Sequence, residues 1–291
     1  MVTLFDLEPV TYFLRAGPGK FEGRCPLMVL KTLGADSRTT HASSGKHLHL
    51  SISLPPLSLR PLLQIGTRIR RVLLAQDCVL CQAACGDGLL CAACERDLPA
   101  AASSCPRCAL SASNNAECGA CLAHPPHYDA SIAAYVYTYP LDRLVHALKY
   151  SGQLALAALF ARALHRRIGD AAGVDLIAPL PLHPERLAQR GFNQAAEIAK
   201  ILSRLTGIAA ELELGRRVRN TAAQTDLPLR ERAANVRGAF ACPRKLSGLR
   251  IAVVDDVMTT GATLDEFARA LKQSGAARVE NWIVARTPRS V

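Results

Sequence analysis

Val253-Val254-Asp255-Asp256-Val257-Met258-Thr259-Thr260-Gly261-Ala262-Thr263 is the stretch whose reading decides the fold. An apolar strand from Leu249 to Val254 ends in two adjacent carboxylates. A loop of hydroxyls and glycine follows, and a helix is predicted over Leu264 to Gln273. Two Asp directly after a run of apolar β residues are costly to bury unless they bind something. Carboxylates accept hydrogen bonds from the vicinal hydroxyls of a ribose. Thr hydroxyls and the free N–H groups at a helix start hold a 5′-phosphate, because a helix N-terminus is a ready anion site. Asp255, Asp256, Thr259, Thr260, Gly261, Ala262 and Thr263 are therefore candidates to bind a phosphorylated ribose, with the Asp pair nearest the chemistry.

Upstream, Asp175 to Leu180 is a short apolar strand closed by Pro179 and Pro181. A Pro-bounded loop with two arginines follows, and Gly191-Phe192-Asn193-Gln194 opens a helix reaching Leu205. Arg186 and Arg190 suit pyrophosphate oxygens, which a guanidinium grips with two parallel hydrogen bonds. A third stretch, from Arg216 to Phe240, is polar and arginine-rich. Arg217, Arg219 and Arg232 suit either a lid over a phosphorylated ligand or a track for single-stranded nucleic acid. For the latter, Phe192, Tyr137 or Tyr150 offers a stacking face.

The remaining α/β pattern fits around these loops. Ser131 to Tyr139 alternates and is β-rich, Leu141 to Tyr150 and Leu154 to Ile168 read as helices, and Val279 to Ala285 is a buried-type strand. Strands alternating with helices predict an α/β fold, a parallel sheet covered on both faces. Ligands of such sheets sit at the carboxyl ends of the strands, where Asp255 and Asp256 fall.

Residues 77–122 carry different chemistry. Eight of the eleven cysteines form four Cys-x-x-Cys pairs: Cys78/Cys81, Cys91/Cys94, Cys105/Cys108 and Cys118/Cys121. Each pair brings two thiolates to one tight turn, and two such turns close a tetrahedral zinc site. The module has too few large apolar residues for a core of its own, so metal must hold it. Two structural zinc ions are expected. Sequential pairing joins Cys78, Cys81, Cys91 and Cys94 at one site and Cys105, Cys108, Cys118 and Cys121 at the other; an interleaved ribbon is the alternative. Cys85 is read as a bystander.

The chain has 291 residues and a formal net charge of +11, room for one α/β core and a smaller module, with polyanions as natural partners. No apolar run reaches the roughly 18 residues of a membrane span, and residues 1–30 lack the order of a secretory signal. A cytoplasmic protein is expected. Residues 1–60 read as an irregular extension, broken by Gly17-Pro18-Gly19 and Pro55-Pro56, and residues 61–76 as an amphipathic helix.

Taken in order, the four Cys pairs including Cys105-Pro106-Arg107-Cys108, then Leu148-Lys149-Tyr150, Arg190-Gly191-Phe192-Asn193-Gln194, the Arg219 to Phe240 stretch, the Asp-Asp loop and Ala285-Arg286-Thr287 resemble the ComF family. The Asp-Asp loop on its own resembles the signature of type I phosphoribosyltransferases, which bind 5-phosphoribosyl 1-pyrophosphate (PRPP). The resemblance covers about Leu73 to Thr287. It implies a double zinc ribbon ahead of a type I phosphoribosyltransferase-like domain over 128–291, with PRPP bound as its magnesium complex. It also implies a part in competence for natural transformation, handling imported single-stranded DNA beside a DNA-uptake helicase and the recombination machinery. Two other functions fit the same residues: an active phosphoribosyltransferase of nucleotide metabolism, and a non-catalytic, zinc-stabilised adaptor for single-stranded DNA or a partner protein.

Overall fold

Nine consecutive residues, Arg250–Met258, form a strand whose first half is largely apolar, and that strand lies inside a parallel sheet. In chain order the strands are β1 (Ala130–Val136), β2 (Leu176–Pro179), β3 (Arg216–Arg217), β4 (Phe240–Ala241), β5 (Arg250–Met258) and β6 (Arg278–Arg286). β1, β6, β5 and β2 pair in that order, all parallel, while β3 and β4 form a separate antiparallel pair. The computed structural model describes residues 76–86, 88–169, 173–219 and 235–289. The extension read over 1–60, the helix read over 61–76 apart from Gln76, and Arg232 lie outside them.

The helices that accompany the strands include α1 (Ala92–Arg96), α2 (Gly119–Ala123), α3 (Leu141–Tyr150), α4 (Ala155–Ile168), α5 (Pro184–Arg190), α6 (Gln194–Thr206) and α7 (Ala262–Gln273). Alternate residues of a strand point to opposite faces. Ala252 and Val254 of β5 join Trp282 and Val284 of β6 beneath α4 and α6, where Phe160, Leu164, Ile198 and Leu202 close the layer. Ile251 and Val253 join Val279 and Ile283 beneath α7, against Phe267 and Leu271. Burying a side chain of this size contributes about 1.5–3 kcal/mol, so packing rather than helix propensity holds α4, α6 and α7 in place.

This two-sided winding positions the site. The second and longer helix after β2, α6, packs on one face, whereas the helix after β5, α7, packs on the other. β2 and β5 are neighbours, so their following segments part and leave a crevice at their carboxyl ends. Pairing of β2 stops at Pro179 opposite Val254, with a last rung from Leu180 N–H to Val254 O at 2.8 Å. β5 does not stop there. Asp255 pairs with Ile283 and Met258 with Arg286, so the strand runs through the carboxylates rather than ending before them. Another boundary moves too. The loop read after β2 contains α5, because Pro184 occupies its first turn, His183 caps it and Gly191 ends it in the left-handed region.

The cysteine-rich segment leans on the outer edge of β1. Ala101 N–H donates to Ala134 O at 3.0 Å, Val136 N–H to Pro99 O at 2.8 Å and Ser131 N–H to Pro106 O at 2.9 Å. None of the helices in the described residues is long and apolar enough to cross a membrane.

Candidate functional site

Asp255 and Asp256 are adjacent on a strand, so they address opposite faces of the sheet. Asp256 is buried and turns toward α3, where the Lys149 ammonium stands 2.8 Å from its Oδ2. Its Oδ1 accepts from Val257 N–H at 2.7 Å, and Asp255 Oδ1 accepts from Asp256 N–H at 2.9 Å. Burial, then the charge of Asp256, hold the Asp255 carboxyl well above the usual carboxylate range, with Lys149 pulling it back. Burial would lower Lys149, but Asp256 and Asp255 outweigh it and the ammonium is raised. On the other face stands Arg217 of β3, buried over the Phe240 ring at 5.5 Å. Burial and the neighbouring Arg186 charge bring its guanidinium down to about 10, opposed by Asp255, and it stays cationic at neutral pH. Two carboxylates, one lysine and two arginines therefore meet at the crevice.

The loop after β5 turns into α7 through Gly261, which caps the helix at φ +88° without a side-chain bond. Thr260 Oγ1 accepts from Ala262 N–H at 3.3 Å. Asp255, Thr259, Gly261 and Thr263 line one small depression at this helix start. A Cβ on Gly261 would lie 2.6 Å from Met258 Cε and 3.0 Å from Tyr128 Oη. Gly261→Ala is expected to cost about 1–2 kcal/mol through strained backbone and crowding. Thermal unfolding checks it.

Arg190, at the end of α5, is fixed rather than free. It donates to Gln194 Oε1 at 3.3 Å and Tyr150 Oη at 3.4 Å, and lies over the Tyr150 ring at 5.2 Å. Asn193 caps α6 by accepting from Ala195 N–H at 3.0 Å, and its Nδ2 donates to Leu180 O at 3.1 Å. The Arg-Gly-Phe-Asn-Gln run thus ties α3, the end of β2 and α6 together around the crevice. Arg219 is exposed and donates to Arg237 O.

The eight paired cysteines form two groups, Cys78/Cys81/Cys91/Cys94 and Cys105/Cys108/Cys118/Cys121, with the sulfurs of each group within 4.8 Å of one another. Pairing is sequential, not interleaved. A tetrahedron with Zn–S of about 2.3 Å has S···S edges of about 3.8 Å, and Cys81···Cys91 and Cys108···Cys118 are both 3.7 Å. Burial opposes ionisation of Cys78 and Cys105, but backbone N–H groups overcome it and bring them to about 6 and about 7. Both groups fit structural zinc. Cys85 stays outside them, its thiol donating to Gly88 O at 2.9 Å and Gln76 O at 3.1 Å. Metal analysis should find two zinc ions per chain, and Cys91→Ser should remove one while the α/β core stays folded.

Comparison with known proteins bears on both halves. A double zinc ribbon domain model matches residues 69–122. The DNA utilization protein YhgH of Salmonella typhimurium is 37% identical over 205 residues, covering 68% of this chain and 90% of that protein. Competence protein F of Haemophilus influenzae is 32% identical over 178 residues, covering 58% and 78%. The chain belongs to the ComF family. Among solved structures, the glutamine PRPP amidotransferase of B. subtilis matches at TM-score 0.30 and 22% identity, over 46% of this chain and 26% of that one. The ComF-family chain has a parallel sheet with helices on both faces, behind two four-cysteine groups.

Two residues of this ComF-family protein carry more than their motifs suggested. Lys149 lies four residues after buried Val145 and one after buried Leu148. A lysine on the apolar stripe of a helix is the signal that gives it away. Arg286 is a buried guanidinium at the end of β6, bonded to the carbonyls of Cys108, Met258, Thr259 and Thr287. No local pattern marks it, because its partners lie up to 178 residues away.

Proposed function

We propose that this protein binds magnesium-complexed PRPP in the crevice between the carboxyl ends of β2 and β5, and does so in the handling of single-stranded DNA. The observation that carries the reading is an acidic pair at the crevice, Asp256 buried and Asp255 half-buried, followed within a few residues by a glycine-capped helix start. In this reading Asp255 and Asp256 hold the ribose hydroxyls and Thr259 to Thr263 hold the 5′-phosphate. Arg186 and Arg190 face the pyrophosphate, with Arg217 adding positive charge beside Asp255. Magnesium, when bound, would neutralise pyrophosphate oxygens. DNA utilization and competence, the words in its relatives' names, connect the reading to DNA. A helicase and recombination proteins would be its partners, in the cytoplasm.

Pyrophosphate release from Mg²⁺-PRPP, with and without single-stranded DNA and a panel of nucleobases, tests the chemistry, and calorimetry tests the binding. Release that needs an acceptor makes the protein a transferase: a C1–N bond forms as the C1–O bond to pyrophosphate breaks, the leaving group taking the electron pair. Binding without release makes it a ligand-responsive module. Absence of PRPP binding sinks the site assignment. The exposed Tyr150, with Arg190 on its ring, favours the module as a second reading, because an aromatic beside a cation is a stacking platform for a base. Tyr150→Ala should then weaken binding of a short single strand, and that binding should fall steeply with salt; an unchanged affinity in both tests excludes the platform.

A further inference from the structure

We propose that the second four-cysteine site is part of the phosphate loop, with Arg286 as the positioning residue that joins them. The functional consequence rests on the reading of Thr259 to Thr263 as a phosphate site; the coupling itself does not.

A loop that aims N–H groups at an anion turns its carbonyls the other way, and those carbonyls need donors. Arg286 supplies them. Its Nη1 donates to Met258 O at 2.9 Å, to Thr259 O and to Thr287 O at 3.1 Å, while Nε donates to Cys108 O at 2.8 Å. Cys108 belongs to the second cluster, so a single buried side chain holds both the first residue of the loop and a metal-binding turn. A guanidinium in this position is stable only while its acceptors stay in place.

A second contact joins the same two regions. Tyr128 is buried a few residues beyond Cys121, and its Oη sits 3.0 Å from where a Cβ on Gly261 would lie. Cys105, Cys108, Cys121, Tyr128, Met258 and Leu264 share one apolar cluster. The first four-cysteine site has no such connection among the described residues: Cys78 packs in the other half of the core, with Tyr135 and Leu141. The two metal sites are therefore inequivalent. The first holds the ribbon; the second holds the ribbon and the loop.

The test uses the full chain in five forms: the parent, Cys81→Ser/Cys91→Ser, Cys108→Ser/Cys118→Ser, Arg286→Met and Arg286→Lys. Zinc content is measured in each. Exchange of the Thr287 amide, which donates to Met258 O at 3.0 Å, reports whether the loop is held, with no ligand present. Calorimetry with ribose 5-phosphate reports the site. Loss of the second site, or Arg286→Met with both zinc ions retained, should speed Thr287 exchange and weaken ribose 5-phosphate binding by roughly 10- to 100-fold, the scale of a ~1 Å misplacement. Arg286→Lys should recover part of both, since it restores charge without the fork. Loss of the first site should change neither by more than about twofold.

Equal effects from the two double cysteine variants overturn the proposal. So does an Arg286→Met protein with parental exchange and binding. A parent that does not bind ribose 5-phosphate overturns the reading of the loop as a phosphate site instead. The coupling is then decided by Thr287 exchange, faster in the second-site and Arg286→Met proteins if it is right and unchanged if it is wrong.

Discussion

Replacing Asp255 and Asp256 together with asparagine is expected to weaken PRPP binding by at least roughly 100-fold while leaving zinc content at its parental value. A hydrogen bond to a charged group is worth about 1.5–3 kcal/mol. Losing the charged acceptor at two positions removes about 3–6 kcal/mol, and every 1.4 kcal/mol is about tenfold in affinity. Asparagine keeps the shape and one acceptor, so a binding loss reflects charge rather than a hole. Stability should move the other way. Burial and the charge of Asp256 hold the Asp255 carboxyl well above the usual range. A raised folded-state value means that its contribution is fully present below the unfolded value, about 3.9, and is lost as pH rises through the folded value. The single variant Asp255→Asn has no such loss. Its melting temperature should exceed that of the parent at pH 8, and the difference should shrink toward pH 4. A gap that does not change with pH, or an Asn pair that binds PRPP like the parent, contradicts the carboxylate assignment.

That opposition between stability and binding bears on what the sequence could convey. The Asp-Asp loop is legible because its signal is local: an apolar run, two charges, hydroxyls, a glycine and an amphipathic helix within about two dozen positions. Cys-x-x-Cys pairs are legible for the same reason, and short gaps favour the sequential pairing that the sulfur distances bear out. What failed to show was set by distant partners. β5 runs past its carboxylates because β6 continues alongside to Arg286. α5 hid behind two prolines and a pair of arginines that suggested a loop, although proline in a first helical turn is favourable. Lys149 and Arg286 appeared as letters of a motif. Their roles come from a sheet that brings Lys149 within 2.8 Å of Asp256 and Arg286 within 2.8 Å of Cys108 O.

Lys149→Met is expected to be among the most destabilising single changes in the α/β core, and its effect should depend on pH. Most of the Lys149 side chain is taken up by the protein, and Nζ sits 2.8 Å from an Asp256 oxygen on a side chain that is 5% exposed. Removing one partner of a buried ion pair strands the other charge, at about 3–5 kcal/mol. Methionine fits the apolar stripe of α3, so the loss is electrostatic rather than a cavity. The Lys149 ammonium is raised by Asp256 and Asp255 against the pull of burial. Its stabilisation is therefore complete below the unfolded lysine value, about 10.4, and lost as pH rises through the folded one. Lys149 also holds the Asp255 carboxyl down. Without it that carboxyl rises further, and the variant should regain stability as acid protonates Asp255. The melting-temperature deficit should be large at pH 7–9 and narrow toward pH 4. Lys149→Met/Asp256→Asn should recover much of the deficit, because no orphaned charge remains. PRPP affinity should not recover in the double variant, since the ligand is an anion and the site has lost both the ammonium and the charge of a ribose acceptor. A Lys149→Met protein with a parental melting curve at every pH would instead mean that water already solvates Asp256, and the crevice would then be wetter and its carboxylates less primed for a ligand than the ion pair implies.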